Sequence, residues 1–372
     1  MKDIVVVGGG PAGSAAAIEL ARAGQQVTLI ERTPSAADKL CGDFLSAEAI
    51  GRIEALGVNL TNAAHITTLR LIHRSHVAET ELPFVARALS RRVLDEALLQ
   101  QASSAGATVL RGHRVSGIEE HGASLKVISS SFGQIVTDTV FLATGKHELR
   151  TNARNWHNTG LVGLKMYYRL NAQQRLLLNG HIELMLFPAG YGGLQPVDAD
   201  RAVLCLLLPA ARLRSAHGRW ADLIDTLIQD CPHLGERLST ARALSERPLA
   251  IANLPYGYVY RAEEKSSLRL FRLGDQAVVI PSLTGAGVAI ALASGSLATR
   301  TRLRGARSHS YHRQFAADLA RQLRPATAIH RLLLSPTLQP WLLAICRMYP
   351  GLIRFAAAAT RTRHLLHTGY AT

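Results

Sequence analysis

The first strand, turn, helix and second strand constrain the fold of this chain most. Residues 4–7 are apolar, and a helical pattern leads to a second apolar strand that ends at Glu31. The turn between them carries glycines at the spacing G-x-G-x-x-G: Gly8, Gly10 and Gly13. Such glycines permit a tight turn, the approach of a pyrophosphate and close helix packing, and the acidic residue binds a ribose. The segment predicts a Rossmann-type domain that binds a dinucleotide.

A second segment, residues 268–298, decides between NAD and FAD. Its apolar strand runs to Leu273, Asp275 follows, and the glycine-spaced residues 284–287 open a helix rich in small side chains. A carboxylate there can bind ribityl hydroxyls, and a helix N-terminus can face the negative pyrimidine edge of a reduced flavin. An NAD dehydrogenase needs neither feature. The two segments together predict non-covalent FAD.

Three further stretches resemble a known family. They are residues 39–45 (KLCGDFL), residues 91–95 (RRVLD) and residues 187–193 (FPAGYGG). With the two glycine segments, they make the chain similar to the geranylgeranyl reductase family of the p-hydroxybenzoate hydroxylase superfamily, which is related to flavin-dependent halogenases. The resemblance implies an α/β fold. It consists of a Rossmann-type (glutathione-reductase-like) FAD-binding domain, an antiparallel-sheet substrate domain and a helical C-terminal region.

The resemblance also implies roles for individual residues. By position, the residues expected to bind FAD are Gly8, Gly10, Ala12, Gly13, Glu31, Arg32, Cys41, Gly42, Arg91, Val115, Asp275, Gly285, Gly287 and Val288. Among them, Glu31 is assigned to the adenosine ribose and Val115, through its backbone, to adenine. Phe187 and Gly190 are assigned to the substrate side. Cys41 is assigned to the vicinity of the flavin ring, where its thiol either donates a proton or packs as a small apolar group.

The order of the elements predicts discontinuous domains. Residues 1–62, 88–145 and 268–305 are expected to form the FAD-binding domain. Residues 63–87 and 146–267 alternate apolar and polar side chains, as half-buried antiparallel strands do, and are expected to form a substrate-binding sheet over the flavin. Residues 306–372 are expected to form a basic helical C-terminal region.

The expected activity is that of an FAD-dependent oxidoreductase acting on a lipophilic, unsaturated or aromatic small molecule. Reduction of a carbon–carbon double bond by hydride from N5 of the reduced flavin leads the alternatives, with Cys41 as the candidate proton donor. Hydroxylation through a flavin hydroperoxide follows, then halogenation or membrane-associated electron transfer. Residues 183–186 (ELML) lack the aromatic side chains that halogenases carry there and that the reductase family often carries, which argues against a halogenase and weakens the case for an isoprenoid substrate. NAD(P)H or another reductant is expected as a transient donor, because no second dinucleotide template is present.

Cysteine and histidine spacing argues against other classes of site. The four cysteines include no C-x-x-C and the fifteen histidines no H-E-x-x-H, so neither a dithiol redox pair nor a metal site is expected. The apolar residues after Lys2 are too few for a secretory signal. Residues 341–359 are interrupted by Arg347, Pro350 and Arg354, unlike a transmembrane helix. These features lead us to expect a cytoplasmic protein.

The net charge of +15 is concentrated near the C-terminus. Residues 300–372 contain twelve arginines and one acid, Asp318, among many leucines. Four prolines are expected to divide this segment into short helices: Pro325, Pro336, Pro340 and Pro350. The helices either cap the flavin domain or bind an anionic membrane surface, which would make the protein peripheral at the inner face of the membrane. With 5% aromatic residues and no reader module, nucleic acid is not an expected partner.

Overall fold

The computed structural model describes residues 3–156, 159–198, 200–262, 267 and 269–361. In chain order, those residues form the strands β1 (Ile4–Val7), β2 (Val27–Glu31), β3 (Phe44–Leu45), β4 (Ala64–His73), β5 (His76–Ala88), β6 (Thr108–Arg111), β7 (Val115–His121), β8 (Ser124–Ser129), β9 (Gly133–Thr137), β10 (Thr139–Leu142), β11 (Leu161–Arg169), β12 (Gly180–Phe187), β13 (Gly190–Val197), β14 (Arg201–Pro209), β15 (Arg242–Ala243), β16 (Leu249–Ala252) and β17 (Leu270–Arg272). The α-helices are α1 (Pro11–Arg22), α2 (Ala47–Ala55), α3 (Arg91–Ser104), α4 (Ala172–Leu178), α5 (Ala210–Ser215), α6 (Trp220–Asp230), α7 (Pro232–Leu238), α8 (Gly287–Leu303), α9 (Ser308–Leu334), α10 (Gln339–Met348) and α11 (Gly351–Ala359).

A parallel sheet with the strand order β17-β10-β1-β2-β6 forms the centre of the FAD-binding domain. Its middle strands are apolar without alternation, because both faces are covered. Ile4 and Val6 pack against α1, α3 and α8, whereas Val5 and Val7 pack against the antiparallel sheet β7-β8-β9. This arrangement confirms the predicted α/β, Rossmann-type fold.

The second large sheet has the order β15-β11-β14-β13-β12-β4-β5-β3, with β16 beside β11. Its strands come from both segments expected to form the substrate domain, and β3 adds an edge strand from the predicted FAD-binding domain. One pair corrects the antiparallel prediction, because β12 runs parallel to β4. The two strands are far apart in the chain, so no hairpin forces them to be antiparallel. The exact domain boundaries stay a prediction.

The helices after residue 306 pack on both domains. The first half of α9 inserts Tyr311, Phe315 and Leu319 into the core of the FAD-binding domain. Its last turns, together with α10 and α11, cover one face of the large sheet, where Leu333 and Ile353 are buried. Helices α5 to α7 cover the opposite face.

One local prediction was wrong. Pro325 does not end a helix but lies inside the 27-residue α9. A proline removes one helical hydrogen bond, at a cost of about 3 kcal/mol. The apolar side chains that α9 buries on either side of Pro325 offset this cost.

Among the described helices, none alone has the length and hydropathy needed to cross a membrane. Helices α10 and α11 meet that criterion only as a pair, which is bent by 110°.

We predict that Gly295 controls the packing of α8 on α1. A side-chain carbon at Gly295 would lie 2.5 Å from the carbonyl oxygen of Ala12, which is backbone and cannot rotate away. Gly295→Ala should therefore lower the free energy of unfolding by about 1–3 kcal/mol, as overpacking does. Urea denaturation measures this change.

Gly51→Ala is the matched control, because Gly51 lies in α2 and a side-chain carbon there meets no atom within 4 Å. It should stabilise the protein by roughly 0.5–1 kcal/mol, the usual gain from replacing a helical glycine. Equal stabilities of the two variants would contradict the proposed contact.

Candidate active site

The glycine turn between β1 and α1 lies at the carboxyl edge of the parallel sheet. At Gly8, a side-chain carbon would lie 2.4 Å from the carbonyl oxygen of Ala143. At Gly13, a side-chain carbon would lie 2.0 Å from the carbonyl oxygen of Gly8. At Gly10 the nearest atom is Nη2 of Arg91, 3.3 Å away. At Gly8 and Gly13, backbone atoms therefore occupy the space that a side chain would need. At Gly10 that space opens into a cavity. This is the arrangement that a pyrophosphate needs to approach the chain closely.

The N-termini of α1 and α8 face the same cavity. Neither helix has a side-chain cap, and the lining includes Ala12 from α1 and Gly287 and Val288 from α8. The unbonded N–H groups and the positive dipole ends of helices bind anionic groups. Gly285, with a φ of 61°, makes the turn into α8. The residues present thus fit both the pyrophosphate and the pyrimidine edge of FAD.

Asp275 lines the same cavity. Its carboxylate accepts a hydrogen bond from Nζ of Lys146 at 3.0 Å, and Arg154 donates to its backbone oxygen at 2.6 Å. Burial disfavours the carboxylate, but the positive charge of Lys146 holds the pKa of Asp275 below its ordinary value. Asp275 is therefore an ionised acceptor that faces the cavity, as binding of ribityl hydroxyls requires.

A buried ion pair holds the loop that contains Cys41. Nζ of Lys165, on β11, donates to the carboxylate of Asp43 at 2.8 Å and to the carbonyl oxygen of Lys39 at 3.0 Å. The hydroxyl of Tyr167 donates to the same carboxylate at 2.6 Å. Asp43 and Lys165 are at most 1% exposed, and burial raises the pKa of Asp43 although Lys165 opposes the shift. These contacts attach the loop to the large sheet and place Cys41 at the cavity.

The cavity, of about 560 Å³, joins the two domains. Nine of the residues predicted from the sequence to bind FAD line it: Gly10, Ala12, Cys41, Gly42, Arg91, Asp275, Gly285, Gly287 and Val288. Leucine and isoleucine side chains from the large sheet and from α9 to α11 form much of the remaining wall. The predicted residues therefore converge on one cavity, much of whose remaining wall is apolar.

Other predicted residues lie outside the cavity lining. Glu31 is 3% exposed and accepts hydrogen bonds from the N–H of Gly9 at 2.7 Å and from Thr33. Burial opposes its ionisation, but Lys39 and these hydrogen bonds hold the pKa of Glu31 below its ordinary value. Arg32 contacts His147, and Val115 begins β7 with its side chain in the core. Their contacts with the adenosine half stay predictions.

The structure corrects the placement of the expected substrate residues. Phe187 is fully buried in the core on the far face of the large sheet, and Gly190 is packed against the carbonyl oxygen of Leu207. Alternate residues of a strand point to opposite faces, so Ile182 and Leu184 of the same strand line the cavity instead.

Several cavity residues were missed by the sequence analysis. Tyr191 contacts the hydroxyl of Ser282 at 2.9 Å, and Tyr256 lies nearby, since the ring of His330 packs edge-on against both tyrosines. Burial raises the pKa of both tyrosines, so their hydroxyls stay protonated at neutral pH. Tyr191 belongs to the quoted stretch 187–193 and could have been found there. Tyr256 has no local signal, because only the folding of its segment brings it to the cavity.

We predict that Gly10→Val prevents FAD binding and preserves the fold. Gly10 has a φ of −77°, which any residue adopts, and its side chain would enter the cavity. The purified variant should be colourless and should not gain flavin absorbance on titration with FAD, while its thermal unfolding stays cooperative. Gly13→Val is the contrasting variant and should fail to fold. Unchanged FAD affinity in Gly10→Val would contradict the assigned pyrophosphate position.

We predict that Lys165→Met leaves the carboxylate of Asp43 buried without its cation. Loss of one partner of a buried ion pair costs about 3–5 kcal/mol. Burial raises the pKa of Asp43 in the folded state. The folded protein therefore keeps a proton on this carboxyl at pH values where the unfolded protein has already lost it. Stability should therefore be greatest at mildly acidic pH and fall as pH rises through that pKa.

Urea denaturation across the pH range measures this effect, and Lys165→Met/Asp43→Asn is the control that should remove the pH dependence. A pH-independent loss in the single variant would show that packing, not charge, is responsible.

The comparisons with known proteins agree with this geometry. Residues 1–134 match the family model for an FAD binding domain. The chain is 29% identical over 316 residues to a menaquinone reductase from Mycobacterium tuberculosis, covering 80% of this chain and 75% of the relative. It is 27% identical over 320 residues to digeranylgeranylglycerophospholipid reductase 2 from Methanopyrus kandleri, with the same coverage.

The fold is also that of a solved flavin-dependent brominase. The two structures align with a TM-score of 0.78 at 15% identity, over 96% of this chain and 93% of the other. At this identity the likeness concerns the fold alone. Together with the glycine cradle, the two open helix N-termini and Asp275, the comparisons confirm FAD as the cofactor and the resemblance noted from the sequence. The chain is an FAD-dependent oxidoreductase that is similar to menaquinone reductases and to digeranylgeranylglycerophospholipid reductases.

Proposed function

We propose that the protein reduces a carbon–carbon double bond in a lipophilic, isoprenoid-like substrate. The observation that carries this proposal is the apolar cavity continuous with the flavin site. Leu69, Leu71 and Leu82 of the large sheet and Leu332 and Leu342 of the C-terminal helices line it. A wall of this kind binds a hydrocarbon chain by removing both surfaces from water.

The names of the relatives support a substrate of this chemistry. One relative acts on a quinone and the other on a phospholipid that carries geranylgeranyl chains. Both substrates combine a long apolar portion with a polar one. The cavity offers a matching distribution, because the hydroxyl groups of Tyr191, Tyr256 and Ser282 form a small polar region in its apolar lining.

FAD, when bound and reduced, supplies the hydride for one carbon of the double bond. The protein must supply a proton to the other carbon, so that two electrons and two hydrogens are added in all. The thiol of Cys41 and the hydroxyl of Tyr191 both face the cavity and can hold that proton. The apolar side chains orient the substrate and exclude water, which would otherwise compete as a proton source. NAD(P)H or another reductant would supply the two electrons needed for each further turnover.

The experiment that tests this proposal is an anaerobic single turnover. Chemically reduced enzyme is mixed with a candidate polyprenyl lipid in the absence of oxygen, flavin absorbance is followed and the product is weighed by mass spectrometry. We expect reoxidation of the flavin and a product that has gained two hydrogens, one of them derived from the flavin. A product that gains one oxygen atom, formed only when air is admitted, would instead identify a monooxygenase.

We predict that one of two variants slows the reduction step selectively. Cys41→Ala and Tyr191→Phe each remove one acidic proton, and the variant that removes the proton donor should lower the rate of substrate reduction by about 10²–10⁴-fold. FAD affinity and the rate of flavin reduction should stay unchanged. Stopped-flow measurements separate these steps.

Cys231→Ala is the control, because this thiol is buried in the core of the large sheet, away from the cavity. Wild-type rates in both cavity variants would remove Cys41 and Tyr191 from the mechanism and leave them as packing groups.

A further inference from the structure

Helices α10 and α11 expose a large apolar surface, which we call the α10–α11 face. Its side chains are those of Trp341, Ile345, Met348, Tyr349 and Phe355. Trp341 and Phe355 are each 71% exposed and Met348 is 70% exposed. Contiguous exposed apolar side chains of this size are uncommon on soluble domains and mark interaction surfaces.

The opposite side of the same two helices belongs to the cavity. Leu342 and Cys346 of α10 and Ile353, Ala356 and Ala357 of α11 line it. Gln339 fixes the start of α10 by donating to the carbonyl oxygen of Phe187 at 2.8 Å. The helix pair is therefore a wall one helix thick, with the cavity on its inner side and the α10–α11 face on its outer side.

The charge around the α10–α11 face is positive. Arg331, Arg347 and Arg354 are exposed on α9, α10 and α11. No aspartate or glutamate follows Asp318 in the sequence. An apolar helical surface flanked by arginines is complementary to an anionic bilayer, whose acyl chains accept the apolar side chains and whose headgroups accept the arginines.

We propose that the α10–α11 face docks the protein on an anionic membrane surface. Each helix is about 15 Å long at 1.5 Å per residue, half the thickness of the hydrocarbon core. The helices therefore lie in the headgroup region, with Trp341, Met348 and Phe355 inserted among the acyl chains. If the proposed function holds, a membrane lipid enters the cavity past this wall without crossing water.

Vesicle flotation without substrate or reductant tests the docking. Intact holoenzyme should float with phosphatidylglycerol vesicles at low salt and much less with phosphatidylcholine vesicles. Trp341→Ser/Phe355→Ser should lower vesicle partitioning at least about tenfold, since each substitution removes a large inserted apolar group. Arg347→Gln/Arg354→Gln should lower it for anionic vesicles and remove its salt dependence.

The matched control is Arg175→Gln/Leu176→Ser on α4. Both side chains are exposed, Leu176 by 75%, and α4 packs on the opposite face of the large sheet through Leu178. This variant should float like the wild type. Equal flotation of the α10–α11 variants and the control would overturn the proposal, as would a lipid-free dimer in which Trp341 is protected from an aqueous quencher.

Fluorescence locates the docking surface independently. Trp156→Phe/Trp220→Phe leaves Trp341 as the only tryptophan. Its emission should shift to shorter wavelength and be quenched by brominated acyl chains when anionic vesicles are added. An unshifted emission from vesicle-bound protein would show that another surface binds the membrane.

The membrane-docking proposal and the proposed reaction can be tested independently of each other. Loss of docking in Trp341→Ser/Phe355→Ser should raise KM for a substrate presented in vesicles and leave kcat for a detergent-dispersed substrate unchanged. Docking without anaerobic turnover would overturn the proposed reaction and preserve the membrane surface.

Discussion

Close contact between backbones at glycine residues is the constraint on which the site depends. Gly13 brings α1 onto β1, and Gly295 brings α8 onto the first turn of α1. Because no side chain separates these segments, the two helix N-termini face the same cavity from either side. Their unbonded N–H groups can then act on two parts of one cofactor. A methyl group at either glycine would displace backbone atoms and separate the two helices.

The two domains meet through a buried charge rather than through apolar packing alone. Asp43 belongs to the loop of Cys41 and Lys165 to the large sheet, and neither side chain is exposed to water. A buried ion pair contributes little net stability, since desolvation offsets most of the attraction. It does impose position, because an unpaired charge at this depth is strongly unfavourable. The pair therefore holds the loop in one place relative to the sheet that forms the cavity wall.

The C-terminal helices have two sides with different tasks. The first half of α9 completes the core of the FAD-binding domain, and its end, with α10 and α11, closes the cavity. The two interpretations that the sequence left open for this region are thus compatible. Packing on the domains accounts for the buried leucines, whereas Trp341, Met348 and Phe355 remain outside that packing. Those three side chains are the part of the segment that the membrane proposal explains.

By itself, the sequence determined the fold class and the cofactor, and it predicted residues for the flavin half of the site. Four residues could be assigned from the sequence, because each lies in a short turn whose local geometry sets its position: Gly8, Gly10, Gly13 and Asp275. The residues on the substrate side depend on which face of a strand each side chain occupies and on contacts between segments that are distant in the chain. Phe187 was assigned to the wrong face of its strand, and Tyr256 gave no signal at all. Only the tertiary structure decided these positions, because a cavity between two domains is formed by residues that share no local pattern. The uninterrupted α9 has the same explanation, since burial along its length outweighs the local effect of Pro325.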